Sequence, residues 1–262
     1  MGIGASIQKG FKIVISSLPV VLITFLFGFA YNLVSLALQR PGETPAPNAP
    51  PSPPMMAAGL VFILVTVFVQ AGSMAYVRDK IRQGNALFSS FLKYGAQFYL
   101  KILLLSLVIA AVIGAFAVLA AVSGGLLAKA NRIAALVSIG AVSIAGFFAL
   151  IFLFFAPYVA VSETKDIRGS LSESARFVRQ NFWSILAIAA ILIAIGFGVG
   201  MIAGMGVGLL QTSLGEGPTK IVFAFISSVI NAFLGLLVTA TFMSFYLGKS
   251  SSSSMGSSAT AS

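Results

Sequence analysis

Six stretches of this chain are each long and apolar enough to cross a lipid bilayer, and no other feature constrains its fold as strongly. They run from Ile13 to Leu38, Met55 to Val77, Leu100 to Val122, Ile133 to Val161, Trp183 to Leu210 and Ile221 to Leu247. A crossing takes about 20 apolar residues at a rise of about 1.5 Å each. None of the six carries Asp, Glu, Lys or Arg in its middle, and Lys101 stands only at a mouth, where its side chain can snorkel to the headgroups. Inside hydrocarbon every backbone amide needs a partner within the protein, so these runs are predicted to be helices. The expected fold is all-α, one polytopic domain over residues 1–248 with six transmembrane helices. With 58% hydrophobic and 8% charged residues, the chain has too little polar surface to wet a soluble core.

The net charge of +10 comes from basic residues at the ends of these runs. Assigned to alternating sides, Lys9, Lys12, Arg78, Lys80, Arg82, Lys93, Lys101, Lys165, Arg168, Arg176, Arg179 and Lys249 share the side of the N-terminus. Only Arg40, Lys129, Arg132 and Lys220 fall on the other. Positive residues stay inside, so both termini are expected in the cytoplasm. Charge distributed in this way reads as topology and attraction to anionic lipid headgroups, and no nucleic-acid partner is expected.

Cysteine and histidine are absent, which removes the usual zinc, copper and haem ligands and the commonest neutral-pH base. The six acids, Glu43, Asp79, Glu163, Asp166, Glu173 and Glu216, all lie outside the apolar runs. Glu163 and Asp166 form the only close pair, amid Lys165 and Arg168. No cofactor, no metal and no catalytic residue are expected, and the chain reads as a non-enzyme.

Two loops on the basic side are alike. Tyr76 to Leu104 and Tyr158 to Ala187 each pass from Tyr-Val through a charged patch and a glycine into an amphipathic segment, then through an aromatic pair into the next run. Leu87, Ser90, Phe98 and Tyr99 align with Leu171, Ser174, Phe182 and Trp183. Leu87, Phe91 and Phe98 form an apolar stripe in the first segment; Leu171, Ala175, Val178 and Phe182 form one in the second. These segments are expected to lie as helices at the interface, with Arg78, Lys80, Arg82, Lys93, Arg168, Arg176 and Arg179 toward headgroups and Tyr99 and Trp183 in an aromatic belt. Ser170 with Glu173 makes a capping box for the second, and Asn85 an N-cap for the first. A fainter copy opens the chain, with Ile3, Ile7 and Phe11 opposite Gln8, Lys9 and Lys12. The domain therefore reads as three repeat units, about 1–77, 78–161 and 162–248, with two or three interfacial helices.

This order of amphipathic segment, aromatic pair and two spans, above all Ala156 to Leu186 (APYVAVSETKDIRGSLSESARFVRQNFWSIL), resembles the superfamily of glycerophosphoryl diester phosphodiesterase membrane domains and related six-span proteins. The resemblance implies a fold and a prokaryotic plasma membrane. It implies no catalysis, because the phosphodiesterase chemistry of those proteins belongs to a separate soluble domain that this sequence does not contain. The seven prolines of the outer loop 40–54, expected to form an extended strap, and the Ser-rich stretch 249–262, expected to be a disordered cytoplasmic tail, depart from that pattern.

Gly196, Gly200, Gly204 and Gly208 recur every four residues in the fifth run, a spacing that flattens one helix face for close packing inside the chain, in a homo-oligomer or against a membrane-protein partner. Pro157 is expected to kink the fourth span. Asn32, Gln70 and Asn231 are candidates for interhelical hydrogen bonds or for a polar path. Together these features favour a scaffold, partner subunit or lipid-organising element. The alternative is a permease or channel for a small solute, and a third reading is a lipid-headgroup enzyme using Glu163 and Asp166. Orientation has a direct check: Ser52→Cys should react with an impermeant maleimide on intact cells and Ser254→Cys only after permeabilisation, the reverse pattern overturning the assignment.

Overall fold

The computed structural model of the chain describes residues 2–38, 52–128 and 131–258, with the side chains of 212–214, 216 and 251–258 outside the description. The described residues form eight α-helices: α1 (Ile3–Ile15), α2 (Leu18–Leu38), α3 (Pro53–Gln83), α4 (Phe88–Ala128), α5 (Arg132–Phe154), α6 (Ala156–Glu163), α7 (Ile167–Leu214) and α8 (Glu216–Ser258). Helices α5 and α6 adjoin at Phe155 and make one crossing. Six helical stretches are thus long and apolar enough to span a membrane, Leu18–Leu38, Pro53–Gln83, Phe88–Ala128, Arg132–Glu163, Ile167–Gln211 and Gly217–Ser250. Most of the Pro-rich loop lies outside the described residues; its last two prolines open α3, where a missing N–H is harmless. At the other end α8 carries helical backbone through the Ser-rich stretch to Ser258, where disorder was expected from composition.

The chain divides into two compact units, Met1–Gln97 with Leu186–Ser262, and Phe98–Ile185. In the first unit α8 is the common partner, packed by α1, α2 and α3. Helix α1 meets it along Ser6, Gly10, Ile13 and Val14, all buried. A Cβ added to Gly10 would collide with the Thr241 hydroxyl and lie 3.2 Å from the Thr241 nitrogen. The face of closest approach is therefore the small-residue face, beside the stripe of Ile3, Ile7 and Phe11 that hydrophobicity alone picks out; Phe11 instead flanks it, 6.2 Å from the Phe233 ring.

Helix α1 ends because Ser16 and Ser17 turn their hydroxyls back onto the carbonyls of Lys12 (2.7 Å) and Ile13 (2.5 Å), and because Pro19 cannot continue the ladder. Lys80 from α3 donates to the Ser16 carbonyl and to Ser17 Oγ (2.9 Å), a cation at a helix C-terminus. Helix α3 stops at Gly84, whose φ of 77° needs no Cβ. The start of α4 crosses α3 through a reciprocal pair. A Cβ on Gly72 would lie 2.8 Å from the Phe91 carbonyl, and one on Gly95 would lie 2.9 Å from the Phe68 ring. Leu87, expected in this stripe, is 74% exposed, and α4 begins after it, so Asn85 caps nothing.

The second unit repeats the device. Gly124 admits Ile139 and Gly146 admits Phe116, tying α4 to α5. Phe155 (φ −83°, ψ −8°) ends α5 and Pro157 stands in the first turn of α6, so the helix is interrupted two residues before the proline. Ser174 of α7 donates 2.6 Å to the Phe152 carbonyl. Asp166, not Ser170, starts α7: its Oδ1 accepts from Gly169 N at 3.1 Å. Asp caps as well as Ser and lies four residues earlier, leaving Ser170 buried inside the helix. At 48 residues, α7 is about twice the length a crossing needs. It bends at Asn181 (φ −125°, ψ 19°), whose amide donates to the Phe177 carbonyl at 3.0 Å. The bend divides α7 just before Phe182 and Trp183.

The glycines that admit neighbours are single ones set against a bulky side chain. In contrast, a Cβ on Gly200, Gly204 or Gly208 would meet nothing within 4 Å, and one on Gly196 only Leu234 at 3.7 Å. Among the described residues the expected seam therefore meets only Leu234, at its first glycine. Gly95→Leu should accordingly lower stability by about 1–3 kcal/mol, a typical overpacking cost. Gly200→Leu with Gly204→Leu should leave monomer unfolding in detergent unchanged; a loss comparable to that of Gly95→Leu would show the face to be packed within the chain.

Candidate functional site

Two regions hold the polar chemistry of the chain. The first lies among α2, α3 and α8, where Thr24, Phe27, Gly28, Tyr31, Asn32, Phe62, Thr66, Val69, Ser228, Asn231 and Ala232 line a cavity of about 310 Å³. Asn32 Nδ2 donates to Ser228 Oγ at 2.9 Å, and Ser228 donates onward to the Ala224 carbonyl at 2.6 Å. Gly28, one turn before Asn32, leaves about 4.0 Å between its Cβ position and Ser228, room for the two helices to approach. Phe62 closes the wall by stacking on Phe27 (4.8 Å) and Tyr31 (3.8 Å). Asn231 joins this cavity from α8, whereas Gln70 stands exposed on α3, away from the lining.

The second region is the set of charged helix ends. Arg78 and Asp79 are both buried, at 8% and 7% exposure, and paired through Nη2–Oδ1 at 2.7 Å; the guanidinium also lies 5.0 Å from the Tyr94 ring. Arg78 is therefore a core residue, not the headgroup contact expected of it. Desolvating a guanidinium needs a counter-charge, and the adjacent Asp79 supplies one. Lys80 is spent on the α1–α2 turn. Arg176 forks onto Glu173 at 2.6 and 2.7 Å. Lys93, Arg168 and Arg179 are exposed, as are Arg82 and Trp183, the last at 77%; Tyr99 is half-buried.

The acidic pair does not converge. Glu163 binds Lys165 at 2.6 Å, Asp166 caps α7, and Glu173 binds Lys165 from the other side at 3.3 Å. The Glu163 hydrogen bond, opposed in part by desolvation and aided by Glu173, raises the Lys165 pKa above its ordinary 10.5. A raised lysine contributes stability that is fully present below 10.5 and is lost only as pH climbs through the higher folded value, so this cation persists across the physiological range. Lys101 extends the cluster by donating to the carbonyls of Thr164 (3.3 Å) and Lys165 (3.5 Å). No group of three or more metal-ligating side chains occurs among the described residues.

These features define an integral, multi-pass, α-helical membrane protein. Residues 1–248 match the family described as "Domain of unknown function (DUF7847)", and the chain belongs to that family. No curated protein and no solved structure matches it.

The sequence pointed to Asn32, Asn231 and the basic residues, and to Ser174 only as an aligned position of the two loops; it did not point to Ser228, the partner of Asn32, or to Gly28 beside it. Their signal, a small residue one helical turn from a polar one, is common to many helices and marks a contact only once the partner is known. Asn32→Ala should cost about 0.6 kcal/mol in equilibrium unfolding, the usual worth of an interhelical hydrogen bond in a membrane, because Ser228 keeps its Ala224 acceptor. A loss several times larger would mean that Asn32 serves more than this bond.

Proposed function

We propose that this chain is a non-enzymatic membrane protein that organises anionic lipid around a domain of three repeated units. The repeat reading is supported by one recurring contact. Each amphipathic helix sets a small residue against the second span of another unit: Gly10 against Thr241, Gly95 against Phe68, Ser174 against the Phe152 carbonyl. Matched on these contacts, Ser6-Gly10, Phe91-Gly95 and Ser170-Ser174 occupy equivalent positions, which moves the pairing of the last two segments five residues from that of the aromatic pairs.

The observation that carries the lipid reading is the fate of the charges. The described acids are consumed within the fold, while Lys93, Arg168 and Arg179 stand exposed near the starts of spans whose apolar residues are exposed as well, such as Leu100, Leu107, Ile193 and Phe197. Each exposed cation near an anionic surface is worth about 1 kcal/mol. The basic face is then cytoplasmic and the membrane a prokaryotic plasma membrane, as the charge bias and the resemblance to the phosphodiesterase membrane domains suggest.

A second reading, a permease for a small neutral solute, rests on the polar-lined cavity of about 310 Å³ at Asn32 and Asn231. A lateral partner for the open glycine face of α7 is compatible with either.

Reconstituted in phosphatidylcholine with a minor share of phosphatidylglycerol, then extracted with its bound lipid, the protein should carry phosphatidylglycerol several-fold above the bulk fraction. The Lys93→Gln, Arg168→Gln, Arg179→Gln triple variant should lose most of that excess. Bound lipid of bulk composition in the wild type, or solute uptake into liposomes abolished by Asn231→Leu, would replace the lipid reading with the permease.

A further inference from the structure

The cavity among α2, α3 and α8 sits at mid-depth of the spans that wall it. Gly28 is the middle residue of α2 (Leu18–Leu38), Thr66 is the middle residue of the apolar run Met55 to Val77, and Asn231 lies well inside the run Ile221 to Leu247. All three line the cavity of about 310 Å³. At that depth neither water nor a lipid headgroup reaches the lipid-facing surface of a helix. A polar side chain without a partner there carries a cost that an apolar side chain would not.

The polar groups of the lining fall into two sets. Thr24 donates to the Val20 carbonyl at 2.9 Å and Asn32 Nδ2 to Ser228 Oγ at 2.9 Å, so the chain itself holds these. Thr66 and Asn231 differ: both are exposed, and neither side chain has a hydrogen-bond partner among the described residues. A threonine in a helix can turn its hydroxyl back on the preceding turn, as Thr24, Thr219 and Thr239 do. Asn231 offers two donors and an acceptor, Thr66 a hydroxyl that does both, and Asn32 Oδ1 a further acceptor.

No charged residue is among those lining the cavity, and much of its wall is the stacked rings of Phe27, Phe62 and Tyr31. Uncharged groups that donate and accept, beside aromatic carbon, match a neutral molecule whose hydroxyls do the same and whose C–H edges can lie on the rings. An anion would find no cation to offset its desolvation at this depth. The volume bounds the size, because sites of about 300 Å³ stand at the small end of ligand cavities.

We propose that this cavity binds a small neutral polyol, of about six carbons or fewer, with Asn231 and Thr66 as its hydrogen-bonding contacts and Asn32, held by Ser228, as a positioned acceptor. The proposal rests on the second reading above for the place of the site and names its class of solute; it does not rest on the lipid-organising reading.

The test is saturation-transfer NMR on the full chain in phosphatidylcholine nanodiscs, with xylitol as the probe and xylonate, its carboxylate counterpart, as the charged control. Xylitol should give saturable transfer and xylonate none. Asn231→Leu and Thr66→Val should each weaken the apparent xylitol affinity about tenfold, as expected for a lost hydrogen bond. Gln70→Leu, which removes an exposed amide of α3 outside the lining, should leave it unchanged. Without ligand, Asn231→Leu should unfold at or above the wild-type temperature, since it takes an unmet amide out of hydrocarbon, which separates lost binding from lost fold.

No saturable transfer from xylitol, equal transfer from xylonate, or unchanged binding by Asn231→Leu would overturn the site. A wild-type dimer that becomes a monomer in Asn231→Leu, read by light scattering in detergent, would show a second copy to be the partner of the amide and would overturn it as well. Saturable binding without xylitol uptake into liposomes would keep the site and remove the permease reading. Uptake that survives both Asn231→Leu and Thr66→Val would keep the permease and remove this site.

Discussion

Hydrocarbon offers a helix no hydrogen bonds and no reason to leave it for another helix, so this fold depends on how closely its helices can approach one another. Lipid tails are as apolar as leucine, and association gains from contact area and short-range dispersion more than from water release. The chain meets this demand at a few points where a side chain has been reduced to hydrogen or a hydroxymethyl group. Gly10 lets α1 touch the Thr241 backbone, Gly72 and Gly95 let α3 and α4 exchange phenylalanines, and Gly146 seats Phe116. Each glycine costs roughly 1 kcal/mol of helix propensity, which the aromatic or β-branched group packed in its place offsets.

Close approach near the charged ends brings cations out of water, and electrostatics then decides how those ends are finished. Arg78 cannot be buried alone, and Asp79 and the Tyr94 ring both meet its charge. Around Lys165, Glu163 and Glu173 divide one ammonium while Asp166 satisfies the first amides of α7. The acids of the described chain are thereby committed to holding helix ends in place. Exposed partners such as Arg176 add little stability of their own, since surface ion pairs are worth at most about 1 kcal/mol.

The crossings were legible in the sequence because a bilayer reads average hydrophobicity over about 20 residues, and that average survives ignorance of every contact. The helix-packing surface was not, because it depends on single residues whose partners lie far away in sequence. Regular spacing drew attention to Gly196, Gly200, Gly204 and Gly208, which meet almost nothing, while isolated Gly72 and Gly146 gave no periodic signal. Amphipathicity failed in a related way. It ranks residues by transfer energy, so it chose Ile3, Ile7 and Phe11 over Ser6 and Gly10, although close packing favours small residues. The N-terminus of α7 was missed by four residues because Asp166 and Ser170 are equally good caps and only the tertiary path selects one. Asn32 was legible because a polar amide in a span must find a partner; Ser228, a weaker signal, was that partner.

The finishing of the helix ends is the remaining constraint. A small residue set against a neighbouring helix recurs at Gly10, Gly95 and Ser174, and nothing in that packing dictates which side chains stand beside it. Where the span end presents a cation, the facing residue is an aromatic ring or a carboxylate, Tyr94 or Glu173. Where it presents Gly248 and Ser250, the facing residue is Lys9, and Arg82 stands beside it. Lys9 and Arg82 line the same cavity as Ser244, whose buried hydroxyl finds no acceptor among the described residues, so close packing at this helix end comes at the expense of a polar group.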